Sequence, residues 1–548
     1  MKNSLSLLLI ALFLVACQQK APIPIFTKYN ETDALEKQQA HENKRMQFQL
    51  FQSKHIDLND VFKPFEKELS AFSEASYEAL KPLILEQDIP SLQQSVKAGK
   101  LTYEKLTLFY LYRIRKFESD STLSLNSIIS LNPKVLAQAR EKDNNKVSDL
   151  FFDISVYGMP ILLKDNINTK DMATTAGAVA LQYNDTQKDA FIVEKLKQNG
   201  ALILGKVNLS EWAYFFCSGC PLGYSAMGGQ TLNPYGRAIF ETGGSSAGSG
   251  VVVAANFAVA AVGTETSGSI TSPSSLNSVV GLKPTVGVLS RTGIVPISST
   301  LDTPGPMTKN VIDNYILLKA MLGLDKADNA SIDYEFDDND VEIETPLKGK
   351  RVGVLKSLLT DSIYAETIDI LRKSGAELIT ITPPKFSFAG FITLLNIEMK
   401  HDLPKYLKTH ASNTVNINSV QSVLDFNRND SLLRAPYGQQ LFEGIVNDST
   451  TLVQLEVIKQ QLQLEGATYF NALNTENLEA ILSINNYHSA MAAVANHPTL
   501  TVPMGYKESG EPISLTFIGK PFTELKLFAL GYAFEQLTKA RKMPKKYQ

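Results

Sequence analysis

Gly243-Gly244-Ser245-Ser246-Ala247-Gly248-Ser249-Gly250 is built only from glycine, serine and alanine, and it opens directly into Val251-Val252-Val253-Ala254-Ala255. Small side chains let a backbone approach its neighbours closely and take dihedrals that larger residues resist. A flexible linker has the same composition, but linkers do not usually run straight into an apolar segment. Just downstream, the strand-like run Ala258 to Val262 meets a second small-residue turn, Gly263-Thr264-Glu265-Thr266-Ser267-Gly268-Ser269-Ile270. A turn after a strand can aim several N–H groups at one point, which is what a developing oxyanion requires. Upstream, Gly158-Met159-Pro160-Ile161-Leu162-Leu163-Lys164-Asp165 ends an apolar run on a lysine. Desolvation there would depress the lysine pKa and yield a neutral base. A lone lysine at a strand end is ordinarily a solvated surface group, so the reading rests on the three segments together.

Outward from these segments, short apolar runs alternate with helical patterns. Pro160 to Leu163, Ala201 to Leu204, Val251 to Val253, Ala258 to Val262 and Arg351 to Leu355 read as strands. Leu92 to Arg115 reads as helix broken at Gly99, and Pro133 to Asn144 as a helix capped by Asn132 with proline at its first position. The alternation predicts an α/β domain, a large mixed β-sheet surrounded by α-helices, over residues 88–544. Residues 31–87 carry Phe48, Phe51, Phe62, Phe65, Leu69 and Phe72 at helical spacings and read as a helical N-terminal extension. The acidic stretch Asp325 to Pro346 reads as an exposed excursion, and no internal repeat is evident.

The chain's start reads as an export signal: Lys2, the apolar run Leu5 to Val15, then Ala16 and Cys17. Leu14-Val15-Ala16-Cys17 resembles the bacterial lipobox, which implies lipidation of Cys17 and an exported protein held on a bacterial membrane, on its periplasmic or cell-surface side, through the lipid anchor alone. Residues 18–30 then read as a tether. The apolar run is too short to span the bilayer as a helix. Cys217 and Cys220 remain, as a small turn with or without a local disulfide; two sulfurs do not make a zinc site and no histidine lies near them. With 53 Lys+Arg against 56 Asp+Glu and no long basic run, nucleic acid is not an expected partner. Gly200-Ala201-Leu202-Ile203-Leu204-Gly205-Lys206 imitates a phosphate loop, but Val207 follows where Ser or Thr is required.

Taken together, the three small-residue and lysine segments resemble the amidase signature family. Its Ser–cis-Ser–Lys triad lies in motifs similar to GGSSxGS and GTDxGGSIR, with the two serines spaced as here, 24 positions apart. The resemblance continues through Gly205 to Trp212, Val280 to Thr285, Asp302 to Met307 and Leu500 to Gly505. It implies Ser269 as nucleophile, Ser245 as the bridging serine, Lys164 as base and Ser246 as a supporting hydrogen-bond partner. It implies an oxyanion hole from the N–H groups of Thr266, Ser267, Gly268 and Ser269. It also implies hydrolysis of a small-molecule or peptide amide with water as acyl acceptor, and no cofactor or metal. Glu265, Ser267 and Thr271 stand where the family usually has Asp, Gly or Asp, and Arg. The form Gly-Thr-Glu-Thr-x-Gly-Ser-Ile-Thr resembles the branch that includes bacterial peptide amidases.

Other readings compete. Gly244-Ser245-Ser246-Ala247-Gly248 fits a nucleophile elbow with Ser246 attacking and His401, His488 or His497 as base, although Tyr235 to Thr242 does not read as the buried strand an elbow needs. A lipoprotein that uses the fold only for binding is a second alternative. A subunit amidating glutamyl-tRNA is a third, against which export argues. His401 and His497 read as packing residues.

Overall fold

The structure, a computed structural model, describes residues 25–145, 154–335 and 346–548. Cys17, the lipobox and the first part of the tether lie outside the described residues, as does the middle of the acidic stretch.

The strands are β1 (Ile128–Leu131), β2 (Pro160–Lys164), β3 (Leu202–Val207), a short hairpin of β4 (Tyr224–Ser225) and β5 (Gly229–Gln230), β6 (Ala260–Glu265), β7 (Val280–Lys283), β8 (Thr303–Thr308), β9 (Arg351–Leu355), β10 (Glu377–Ile381), β11 (Ala480–Ile484), β12 (Thr499–Tyr506) and β13 (Pro512–Ile518). Eleven of them form one mixed sheet in the order β1-β3-β2-β6-β8-β7-β12-β13-β11-β9-β10. β2 and β3 are buried on both faces, so they read as apolar runs without alternation. β2 lies parallel to both β3 and β6, which brings the C-terminal ends of these three strands to one edge of the sheet. In open α/β sheets that edge is where ligands and reactive groups gather.

Four of the five expected strand runs are strands. The exception is Val251 to Val253, which lies in the helix Ala247–Ala254. Every side chain of that helix is buried, so it shows no polar face, and periodicity cannot separate such a helix from a buried strand. The expected break at Gly99 is real: one helix spans Ile89–Lys97, the next spans Tyr103–Glu118, and Gly99 between them has φ +69°. The expected start is displaced: the helix is Val135–Asn144 with Lys134 at its N-cap, so Pro133 lies outside it and Asn132 accepts Lys134 N–H at 3.0 Å in the preceding turn instead of capping. The acidic excursion is not wholly exposed. Asp325 and Asp328 are buried, because Asp325 accepts the Ser290 hydroxyl at 2.6 Å and Asp328 accepts Arg291 Nε at 2.9 Å.

The N-terminal extension shares the core of the main domain. Phe48, Phe51, Phe62, Phe65, Leu69 and Tyr77 belong to the same buried apolar cluster as β2, β3 and β6. Arg113 ties it down: the buried guanidinium donates to Ala255 O at 3.0 and 2.9 Å and also reaches the Tyr77 hydroxyl and the Tyr547 carbonyl. A buried guanidinium is tolerated only with its donors satisfied, so these carbonyls fix extension, sheet-side helix and C-terminus together.

Candidate active site

Lys164 ends β2 and is fully buried. Its Nζ lies 2.7 Å from Ser245 Oγ, 3.0 Å from Thr264 O and 2.9 Å from Thr264 Oγ1, and it makes no ion pair among the described residues. Three oxygen partners suit a neutral amine: two N–H groups donate to Thr264 and the lone pair accepts the Ser245 hydroxyl. Burial pushes the Lys164 pKa down to about 7, against a weaker opposing pull from the Asp302 and Glu265 charges.

Ser245 follows a cis peptide bond from Gly244 and is itself fully buried. The extension of β3 holds this turn: Ser210 N–H donates to Ser245 O at 3.0 Å, and Gly248 N–H to Asn208 O at 2.9 Å. Gly248 is required here, since a Cβ would sit 2.3 Å from the Asn208 carbonyl oxygen. Ser246 N–H donates to Ser269 O at 3.0 Å, which joins the first small-residue turn to the second. The Ser246 hydroxyl donates to Thr264 O at 3.0 Å and accepts Thr264 N–H at 3.2 Å. Buried and engaged on both sides, Ser246 is not placed to attack a substrate, and the elbow reading fails on that geometry. Two of the three candidate elbow bases are spent elsewhere: His488 Nδ1 lies 2.6 Å from Ser483 Oγ, and His497 contacts the Gly519 carbonyl and the Phe470 ring.

Ser269 is partly exposed, on the loop between β6 and the helix Thr271–Leu276. The carboxylate of Glu265 organises this loop. Its Oε1 accepts Gly268 N–H at 2.6 Å, and its Oε2 accepts Ile270 N–H at 2.7 Å, Thr271 N–H at 2.8 Å and the Thr271 hydroxyl at 3.0 Å. This corrects the expected oxyanion hole: the Gly268 N–H is committed to Glu265 and leaves the set. The N–H groups of Thr266, Ser267 and Ser269 have no partner among the described residues. Gly268, not Ser267, takes the left-handed backbone, with φ +95°, so serine at 267 costs no strain. Thr271, where arginine is usual, completes the cradle for the longer Glu265.

Asp302 and Thr264, which lie within the motifs, also shape the site. Asp302 accepts the Thr266 hydroxyl at 2.6 Å and the N–H groups of Ile297 and Ser298 at 2.7 and 2.9 Å. Burial raises its pKa to about 6 against those hydrogen bonds. Asp302 also borders a cleft of about 370 Å³ lined by Arg291, Ile294, Ser298, Asp402 and Tyr406 among others. Its position on Thr266 joins that cleft to the Ser269 loop.

The family model for Amidase matches residues 105–465. The chain belongs to the amidase signature family. This amidase is 36% identical to a probable amidase of Arabidopsis thaliana over 84% of its own length and 92% of that protein. Among solved structures, an amidase family protein from Bacillus anthracis superposes with a TM-score of 0.83 at 38% identity, covering 90% of this chain and 99% of that one. The native peptide amidase from Stenotrophomonas maltophilia superposes at 0.77 with 37% identity, covering 84% and 98%. The amidase therefore acts on amides as a hydrolase, on a mixed sheet wrapped in helices.

The segments around 213–230 and 384–450 meet in one apolar cluster. Trp212, Phe216, Leu394, Met399 and Phe442 pack together in it, with the Trp212 and Phe216 rings 5.4 and 5.1 Å from Phe442. Cys217 and Cys220 form a disulfide at the tip of the first segment. Trp212, Ala213 and Tyr214 hold left-handed backbone, φ +50°, +54° and +76°, a conformation disfavoured for side chains of this size. The sequence left the disulfide open and showed no sign of the strain.

Proposed function

We propose that this amidase cleaves carboxamides through an acyl-enzyme on Ser269. Neutral Lys164 takes the proton of Ser245, Ser245 takes that of Ser269, and the Ser269 oxygen attacks the amide carbonyl. The N–H groups of Thr266, Ser267 and Ser269 receive the oxyanion. The collapsing intermediate expels the amine, which takes the proton back through Ser245, and water then releases the acid by the same route reversed. The observation that carries the reading is the fully buried Lys164, without a carboxylate partner among the described residues and 2.7 Å from Ser245 Oγ. A buried amine with no carboxylate beside it among the described residues is costly to keep charged, and its contact with the Ser245 hydroxyl gives the neutral form a use as a base.

C-terminally amidated peptides are the proposed substrates. The similarity to a peptide amidase at 37% identity supports this, as do Glu265 and Thr271 in the loop. We also read Cys17 as a lipid attachment site that holds the exported protein on a membrane; loss of membrane association in Cys17→Ser, followed by fractionation, is the expected result. The mechanism is tested by labelling with a fluorophosphonate and locating the adduct by peptide mass spectrometry. Label on Ser269 is expected, together with ammonia release from amidated peptides. Label on another serine would overturn the assignment.

A further inference from the structure

β8 carries Asp302 before one end and Lys309 beyond the other. At the Lys309 end lies a second cleft, of about 420 Å³, lined in part by Asp88, Ser91, Lys309, Val502, Tyr532 and Glu535. None of these lining residues enters the mechanism above.

Lys309 is only 3% exposed, and its Nζ has no hydrogen-bond partner among the described residues. A buried amine without a partner is rare, because desolvation is then uncompensated; burial lowers the Lys309 pKa, and the Asp313, Glu86 and Asp88 charges nearby oppose this by favouring its ammonium. The carboxylates around it are occupied. Asp313 accepts Ile89 N–H at 2.7 Å and the Asn310 side chain at 3.0 Å. Glu86 holds Arg541 at 2.8 and 3.1 Å and accepts Asn256 at 2.7 Å. Glu535 accepts Val311 N–H at 3.0 Å, and Asp88 accepts Ser91 N–H at 2.8 Å. Two helices start beside the cleft, Ile89–Lys97 capped by Asp88 and Val311–Met321 capped by Asn310. Their N-terminal ends add positive potential to that of Lys309. One part of the wall is apolar, from Ile312, Val502, Pro503 and Ala540, and Lys539 and Arg541 also line the cleft.

We propose that this cleft binds a small monocarboxylate with an apolar body, its carboxylate taken by Lys309 and its body lying on Val502, Pro503 and Tyr532. The rim selects the charge: the Glu86 and Asp88 carboxylates disfavour a dianion, and Arg541, which also lines the cleft, is already paired with Glu86. Burial raises Glu535 to about 8, so near neutral pH it holds a proton and adds a donor instead of a repelling charge.

The test titrates 3-phenylpropionate, its uncharged analogue 3-phenylpropanol and inorganic phosphate into the full chain by calorimetry. Only 3-phenylpropionate is expected to bind. Lys309→Met should weaken it about 10- to 100-fold, the weight of one charge-assisted hydrogen bond. If Lys309→Met does not fold, Ala540→Phe, which fills the cleft from its partly exposed rim, must produce the loss instead. Phosphate binding as tightly as the acid, equal binding of the alcohol, undiminished binding in the folded variants, or no binding by the unmodified protein would each overturn the proposal.

Discussion

Lys164 and Lys206 sit on neighbouring parallel strands, β2 and β3, and both are sealed from solvent. Burial lowers the pKa of each. They differ in their partners. Lys206 Nζ is 2.9 Å from Asp165 and 3.0 Å from Thr174 Oγ1, whereas among the described residues Lys164 Nζ bonds only Thr264 and the Ser245 hydroxyl. A carboxylate in contact keeps an amine charged and fixes it as a structural pair. Without one, the same burial leaves the amine free to lose its proton and work as a base. Asp165 immediately follows Lys164 in sequence, yet it serves the other lysine: strand geometry turns consecutive side chains to opposite faces.

The largest way to break this contrast is to remove each amine in turn. Lys164→Met should lower kcat for amide hydrolysis by at least about 10²- to 10⁴-fold, the range for loss of a general base, without lowering the melting temperature. Ammonia release and thermal unfolding check both halves, and a Lys164→Met enzyme of undiminished rate would refute the mechanism. Lys206→Met should do the reverse. It leaves Asp165 charged, buried and unpaired, which costs about 3–5 kcal/mol of stability in denaturant unfolding. Replacing both partners, Lys206→Met with Asp165→Asn, should recover much of that loss.

A smaller effect sharpens the roles within the Ser269 loop. Glu265→Gln exchanges an acceptor-only group for one with an N–H₂ that must confront a loop N–H. Gly268 would then be released or repelled, and the three free donors would move. A fall in kcat of about 10²-fold, comparable to losing one oxyanion donor, is expected with KM little altered. A change confined to KM would show that Glu265 shapes substrate binding and not the loop.

Much of this site was legible because its requirements are steric. Gly248 against the Asn208 carbonyl and the small residues around Ser245 admit few alternatives, and a lysine closing an apolar run marks a strand end. What was not legible depended on choices among equivalent groups. Nothing in the order of residues says that Glu265 takes the Gly268 N–H and leaves those of Thr266, Ser267 and Ser269. β8 was equally hidden, since Pro304 and Pro306 argue against a central strand. They lie two apart, so both missing donors fall on one side, leaving Thr303, Gly305 and Met307 to donate on the other. The helix Ala247–Ala254 was misread because complete burial erases its period.

The subtlest measurement bears on what sets the Lys164 proton equilibrium. A lysine depressed to about 7 is protonated and inactive below that pH, so kcat/KM should rise with pH and level off above about 7. Asp302 works against the depression by favouring the ammonium. Asp302→Asn removes that charge, keeps an oxygen for the Thr266 hydroxyl and should move the acid limb to lower pH. The shift should be under about one pH unit, because burial, not charge, dominates. A limb that moved upward would mean that Lys164 draws its pKa from something other than desolvation, and the contrast with Lys206 would lose its cause.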